Sequence, residues 1–366
     1  MSANEIRINV FGDFCLVGVD SNNYKLGDDV RAFMSGAINV ANLECPVTNA
    51  ESKRSLRSVN FKVEPELLKV LDGFQVVSLA NNHIADYLDQ GIQDTIKHVE
   101  EKGLKWFGVG KTYEEALKPC IIECQGRKIA FLGATRWANS DSEHEWGTAV
   151  EKIGKLKKLI RELKASGCIV IPYFHWGYEY VRIPAPKERG IARACVDAGA
   201  DIVIGGHPHI FQAYEVYKGK YIYYSLGNTV FQSERFNNGM AMIIDDPRLF
   251  NSFFVSITID ENGVLHTEPK FYQLSDTGVR MLSAEEAASQ KKELEEVSDI
   301  LRLPYRKYWK KYYHQAVTSC KHHIYMRKNF QKIGERSFKD KLRIMLCFNS
   351  QDLRNRLAHL VPWLFE

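Results

Sequence analysis

The chain has 366 residues, 45% hydrophobic and 26% charged, with a formal net charge of +4, the proportions of an ordinary globular protein. They exclude a disordered chain, a collagen-like repeat and a small disulfide scaffold, and the length allows two domains or one large one. No stretch approaches 18 uninterrupted apolar residues, and the polar start, Met1 to Arg7, lacks the apolar stretch and cleavage site of a signal peptide, so a cytoplasmic protein is expected.

Residues 6–11 alternate apolar with polar side chains and predict a strand ending at Gly12-Asp13. Residues 37–43 predict a second strand, ending at Glu44-Cys45-Pro46. Residues 65–71 read as a short helix, and 74–80 as an apolar strand running into Asn81-Asn82-His83. Helical spacing over 90–102 sets Ile92, Ile96 and Val99 on one face, and strands at 120–123 and 128–132 flank the turn Gln125-Gly126.

Residues 152–164 predict an amphipathic helix with Ile153, Leu156, Leu159, Ile160 and Leu163 inward. A buried strand at 168–174 stops at His175, a helix spans 187–198, and a strand at 201–204 stops at Gly205-Gly206-His207. A hairpin at 212–217 and 221–226 leads to Gly227-Asn228, and strands follow at 240–244, 253–259 and 264–270. Early alternation of strands with helices and late hairpins predict a mixed α/β sheet system with helices outside. The eight cysteines are scattered with no CxxC pair, and those inside apolar runs read as small hydrophobes.

Beyond about residue 280 the texture changes. Residues 284–301 are charged and helical, Pro304 interrupts, and a Tyr-, Lys-, Arg- and His-rich helical stretch runs to the end. Residues 281–366 carry 17 Lys and Arg against 10 Asp and Glu, leaving 32 against 35 for residues 1–280. The expected division is a catalytic domain over 1–280 and a helical basic extension over 281–366. Since the basic character belongs to the tail, no nucleic-acid partner is expected.

Polar, metal-capable residues stand repeatedly where apolar strands end: Asp13, Glu44, Asn82-His83, His175 and His207-Pro208-His209. In α/β folds such ends converge on one edge, where ligand sites form. Divalent cations take carboxylate oxygen and imidazole nitrogen from several chain positions. Singly, each has a plainer reading: Asp13 as a turn residue, Glu44 as a loop carboxylate, His83 as the first residue of a helix capped by Asn82. In an extended segment, His207 and His209 would face the same side and aim at one centre.

Six motifs carry a resemblance: Gly12-Asp13; Asn42-Leu43-Glu44; Ser78-Leu79-Ala80-Asn81-Asn82-His83 with Asp86; His175-Trp176-Gly177-Tyr178-Glu179-Tyr180; Gly205-Gly206-His207-Pro208-His209; and Tyr224-Ser225-Leu226-Gly227-Asn228. In this order, over about residues 6–275, the chain resembles the CapA family of bacterial capsule and poly-γ-glutamate synthesis proteins, related to calcineurin-like metallophosphoesterases. The resemblance implies a four-layer αββα metallophosphoesterase-like sandwich and two divalent metal ions (Mn, Fe, Zn or Mg). By it, Asp13 and His209 would hold one ion, Asn82, His175 and His207 the other, and Glu44 would bridge them. His83 would be the general acid, oriented by Asp86, and Glu179 and Tyr180 would line the substrate side. Cys15 stands where the wider superfamily has a histidine, Gly206 where many members have the first histidine of Gly-His-His-Pro-His, and Thr229 where Phe usually follows Asn228.

The implied function is a metal-dependent hydrolase or transferase of phosphoesterase type, acting on a polymer or phosphoester in capsule, exopolysaccharide or poly-γ-glutamate synthesis. Two alternatives keep the same residues: a metal-dependent epimerase with His83 as base, and a non-catalytic assembly factor of a membrane polymer synthase. No Walker-type glycine loop supports nucleotide-driven chemistry. In the tail, Tyr305, Arg306, Lys307, Tyr308, Trp309, Lys310, Lys311, Tyr312 and Tyr313 interleave aromatic and cationic groups, followed by Lys321, Tyr325, Arg327 and Lys328. They read either as a helix packed by its aromatic face or as a peripheral dock on the inner face of a membrane or a membrane synthase.

Overall fold

The computed structural model describes residues 5–54, 60–136, 145–232, 234–237, 240–243 and 246–329, with 234–237, 240–243 and 320–329 as backbone alone. The first half runs β1 (Ile6–Phe14), β2 (Lys25–Leu26), α1 (Asp28–Met34), β3 (Ile38–Leu43), a 3-10 turn at Pro65–Leu71, β4 (Val76–Ser78), α2 (Leu88–Glu101) and β5 (Lys105–Phe107). Then come β6 (Val109–Gly110), α3 (Tyr113–Ala116), β7 (Cys120–Cys124), β8 (Arg127–Thr135), β9 (Gly147–Thr148), α4 (Ile153–Ala165), β10 (Cys168–His175), α5 (Pro186–Ala198) and β11 (Ile202–Gly206). The remainder is β12 (Tyr214–Tyr217), β13 (Lys220–Tyr223), β14 (Asn228–Val230), β15 (Glu234–Asn237), β16 (Met240–Ile243), β17 (Asn251–Ile259), β18 (Leu265–Ser275), β19 (Gly278–Met281), α6 (Ala284–Asp299) and α7 (Tyr305–Asn329).

The principal strands are apolar on both faces, so each sheet must be covered twice. One sheet has the order β2-β19-β18-β17-β1-β3-β4-β5, with β14 also beside β1; the other has β12-β13-β11-β10-β8-β7. Ile8, Val10, Val40 and Val76 of the first pack between the sheets with Phe131, Ile171, Tyr173 and Ile204 of the second. The Tyr173 hydroxyl donates to the Phe11 carbonyl at 2.8 Å, a polar tie across that seam. The outer face of the first sheet is covered by α1, the 3-10 turn and α2 through Val30, Met34, Leu68, Ile92 and Val99. The outer face of the second is covered by α4, α5 and α7 through Leu156, Ile160, Ile191, Cys195, Tyr308 and Tyr312. This is the expected four-layer α/β sandwich.

Within each sheet a parallel block matters most for the site: β1-β3-β4-β5 in one and β8-β10-β11-β13 in the other. Their C-terminal ends carry every candidate residue named above, apart from the loop that follows β10.

Several expectations need correction. β1 does not stop at Phe11 but continues through Asp13. Val10 pairs with Val40 and Asp13 with Asn42, three residues of β1 against two of β3, so β1 contains a bulge. The strand expected over 74–80 is only three residues, Val76–Ser78. Ile153, expected inward, is 42% exposed, because it is the first residue of α4 and lies beyond the edge of the packed face. The helical stretch beyond residue 329 lies outside the described residues.

The extension begins at the end of β19, and its first two helices pack on the rest of the chain. Leu294 of α6 joins the inter-sheet cluster, and Tyr308, Tyr312 and Ala316 of α7 join the outer cluster of the second sheet.

Close approach at a glycine makes the packing testable. A Cβ on Gly205 would press on the Tyr224 carbonyl oxygen and stand 2.5 Å from Trp176 Nε1. Gly205→Ala should therefore cost about 1–3 kcal/mol, the usual range for overpacking. Urea unfolding should show a lower midpoint at unchanged m-value.

Candidate metal centre

The bulge in β1 decides where Asp13 points. Val10 and Val40 face the inter-sheet core, and Asn42, two residues on from Val40, shares its face. The extra residue in β1 brings Asp13 opposite Asn42, onto that same inner face, instead of the outer face that strict alternation from Val10 would dictate. There Asn42 Nδ2 donates to Asp13 Oδ1 at 2.8 Å, and the His207 backbone N–H donates to Asp13 Oδ2 at 2.8 Å. A Cβ on Gly206 would stand 2.6 Å from Asp13 Oδ1, so the carboxylate occupies the space a side chain there would need.

Two buried groups of donor atoms result. Glu44, His175 and His207 form one; Asp13, Glu44 and His209 form the other; within each, the donor atoms lie within 4.8 Å of one another. Glu44 belongs to both. Asn82 Oδ1 lies 2.8 Å from His175 Nε2, adding an amide oxygen to the first group. His209 Nδ1 lies 3.0 Å from Asn228 Oδ1.

His207 and His209 do not converge by strand alternation as the extended reading expected. Both have left-handed backbones, φ 97° and 62°, and they follow β11 in a turn, which sends one ring to each group. Non-glycine residues adopt such φ at a cost that a surrounding structure must hold. Cys15 is buried in the outer apolar cluster of the first sheet and is in neither donor group.

Burial sets the protonation states. Desolvation, then neighbouring Glu44, pushes the Asp13 carboxyl up to about 7, against His175 and the bonds from His207 and Asn42. Desolvation pulls His175 down to about 4, opposed by Asp13 and Glu179. His207 is held well below the usual histidine range by burial, then by His175 and His209. His175 and His207 are therefore neutral at pH 7, the form that coordinates metals, beside Asp13 and Glu44, whose negative charges disfavour each other in a dry site. Carboxylate and amide oxygens with neutral imidazole nitrogens suit a divalent transition cation, which would offset the carboxylate repulsion.

His83 stands beside these groups at 13% side-chain exposure. Its Nδ1 is 2.7 Å from Asp86 Oδ2, which also accepts from the Phe61 N–H at 2.8 Å. With the carboxylate accepting at Nδ1, Nε2 is left available for proton exchange. Asn81, not Asn82, makes the turn that presents it: its Oδ1 accepts from the N–H groups of His83 at 3.1 Å and Ile84 at 2.9 Å. Asn81 Nδ2 reaches the Leu43 carbonyl at 2.7 Å and Asn42 Oδ1 at 3.2 Å. Asp13, Asn42, Asn81 and His83 are thus linked in one chain of hydrogen bonds.

The loop after β10 brings Glu179 and Tyr180 to the same edge. Glu179 is close enough to act on His175, and the Tyr180 ring lies 6.3 Å from that of His209. Sequence reasoning gave no role to Asn42, Asn81 or Asn228, although each lies in a quoted motif, and it missed Arg136. Arg136 follows β8, stacks 4.4 Å from the Tyr178 ring centroid, and donates to the Tyr178 hydroxyl at 2.8 Å.

Comparison with known proteins agrees with the motif series. Residues 17–233 match the family described as "Bacterial capsule synthesis protein PGA_cap", a span that holds every candidate site residue except Asp13. The chain is 34% identical over 202 residues to the capsule biosynthesis protein CapA of Bacillus anthracis, covering 52% of this chain and 49% of that one. It is 36% identical over 197 residues to the PGA biosynthesis protein CapA of Bacillus subtilis (strain 168), covering 52% of each. The chain therefore spans about half the length of these curated relatives. Among solved structures, the NAD nucleotidase of Haemophilus influenzae superposes with a TM-score of 0.41 at 13% identity, over 80% of this chain and 56% of that one.

If the donor groups bind metal, Mn²⁺ or Zn²⁺ at 100 times its Kd should raise unfolding stability by about 2.7 kcal/mol. A His207→Ala/His209→Ala double variant should lose that gain and the metal found by elemental analysis. Equal, negligible metal in both proteins would remove the two-group reading.

Proposed function

The chain belongs to the bacterial capsule synthesis protein family PGA_cap, and from that premise we propose that it is a metal-dependent hydrolase or transferase of phosphoesterase type in capsule, exopolysaccharide or poly-γ-glutamate biosynthesis. The observation that carries this reading is Glu44's membership of both buried donor groups, with the His83–Asp86 pair beside them. The names of the Bacillus relatives support the pathway.

Asp13, Glu44, Asn82, His175, His207 and His209 would hold divalent cations, which when bound supply Lewis-acid polarisation of the reacting oxygen and a water nucleophilic near neutral pH. The chain's own residues do the rest. His83 holds a proton at Nε2 for the departing oxygen, and Asp86 fixes the ring from Nδ1. Phe61, with its ring centroid 4.5 Å from that of His83, restricts the imidazole's tilt. Glu179 and Tyr180 border the path by which substrate reaches the buried donors.

The reading extends to a peripheral partner. α7 exposes Tyr305 (66%), its first residue, and Tyr313 (38%), among exposed Arg306, Lys307, Lys310 and Lys311. Cations and interfacial aromatics together suit an anionic headgroup layer. Lys321, Tyr325, Arg327 and Lys328 lie beyond the residues whose side chains are described. No helix among the described residues is long and apolar enough to cross a membrane.

Two measurements test the reading. His83→Asn should lower turnover of bis(4-nitrophenyl) phosphate by roughly 10²–10⁴-fold with metal content near normal, and Asp86→Asn should do so less severely. Loss of metal in His83→Asn would move that residue among the ligands. Vesicles containing phosphatidylglycerol should sediment the protein at low salt and release it at high salt, and Arg306→Glu/Lys310→Glu should bind less. Equal sedimentation of both proteins would leave α7 without this role.

A further inference from the structure

We infer that α7 is a clamp whose side chains hold the loop between β10 and α5 in the conformation that presents Glu179 and Tyr180 to the donor groups. The substrate-side role of those two residues rests on the proposed function; the clamp itself rests on hydrogen bonds. The loop is irregular and largely buried, so its backbone polar groups need partners from elsewhere. One helix supplies three. The Tyr308 hydroxyl donates to the Pro184 carbonyl at 2.6 Å, Gln315 Oε1 accepts from the Arg182 N–H at 3.0 Å, and the Ser319 hydroxyl donates to the Glu179 carbonyl at 2.6 Å.

Positions 308, 315 and 319 are seven and four apart, one face of a helix, where Tyr308 and Ser319 are buried with Tyr312 and Ala316 and Gln315 is half-buried. α6 adds a fourth tie, with Arg182 Nη2 2.9 Å from Glu293 Oε1. From the sheet side, Gln212 Nε2 donates to the Val181 carbonyl at 2.7 Å and the Ala213 N–H to the Arg182 carbonyl at 3.1 Å.

What the clamp holds is not a relaxed loop. Tyr180 has φ 62°, a left-handed backbone that an aromatic residue rarely adopts and that persists only where neighbours over-determine it. Its N–H donates to the Pro208 carbonyl at 2.9 Å, between His207 and His209. The path from α7 to the donor groups is therefore short: Ser319 holds Glu179, the next residue is Tyr180, and Tyr180 is bonded to the turn that carries both histidines. These ties make Tyr308, Gln315 and Ser319 positioning residues, although they lie outside the part of the chain that matches the family.

The test is hydrogen exchange on the full-length chain, which needs no substrate. Gln315→Ala/Ser319→Ala should exchange roughly tenfold faster than wild type in the segment 177–185, the effect of losing two net hydrogen bonds, while β10 and β11 keep wild-type protection. Gln315→Glu/Ser319→Thr, which keeps an acceptor and a hydroxyl, should restore slow exchange. With bis(4-nitrophenyl) phosphate the alanine pair should raise KM or lower kcat several-fold at unchanged metal content. Unchanged exchange over 177–185 in a folded alanine variant overturns the clamp, as does acceleration spread equally over β10 and β11. A wild-type protein inert toward the phosphodiester removes the proposed reaction, and the exchange result still decides the clamp.

Discussion

One extra residue in a strand governs this site. Were β1 to alternate without interruption, Asp13 would face the helices on the outer side of the first sheet, with Phe11. The bulge between Val10 and Asp13 returns it to the seam between the sheets. Everything else in the centre is arranged around that carboxylate. Asn42 and the His207 N–H bond to it, and Gly206 leaves room for it. Even the neighbouring glycine is required, because a Cβ on Gly12 would press on the Gly227 carbonyl oxygen, where β1 meets the segment leading into β14.

The second constraint is electrostatic. Two carboxylates and three imidazoles are buried at the open end of an otherwise apolar sandwich, where unpartnered charge is expensive. Amides stand at short range. Asn42 and Asn81 join Asp13 to the turn bearing His83 while adding no charge of their own, and Asn228 meets His209. Burial keeps His175 and His207 neutral beside two acidic side chains, a setting that suits a bound cation. The same amides tie the donor groups to the turn that bears His83, so both stand on one rigid frame.

The C-terminal helices pack as part of the same sandwich as the sheets. Composition draws a line near residue 280, yet Leu294, Leu301, Tyr308, Tyr312 and Ala316 are buried in clusters shared with the sheets and their covering helices. α7 is two-sided: one aromatic face closes the outer core of the second sheet, while Tyr305 and Tyr313 remain outside. The alternation of aromatic and basic residues in its sequence reflects a helix that packs on one side and meets solvent on the other.

The sequence by itself determined the layered α/β architecture, and it named residues that the structure gathers at one edge. Strands with two apolar faces demand covered sheets, and the recurrence of metal-capable residues at strand ends, more than any one of them, marks the edge where they gather. It also contained a sign of the bulge, since Gly12 interrupts a strand pattern, but a lone glycine does not say which way the next side chain will turn. Only the tertiary structure decided that Asp13 faces inward, that His207 and His209 go to different groups through left-handed backbones, and that Asn42, Asn81 and Asn228 hold them. It alone decided that α7 grips the loop of Glu179 and Tyr180. The reason is physical: periodicity reports burial along one element, whereas these features are contacts between elements distant in the chain, as between Asp13 and His207 or Glu179 and Ser319.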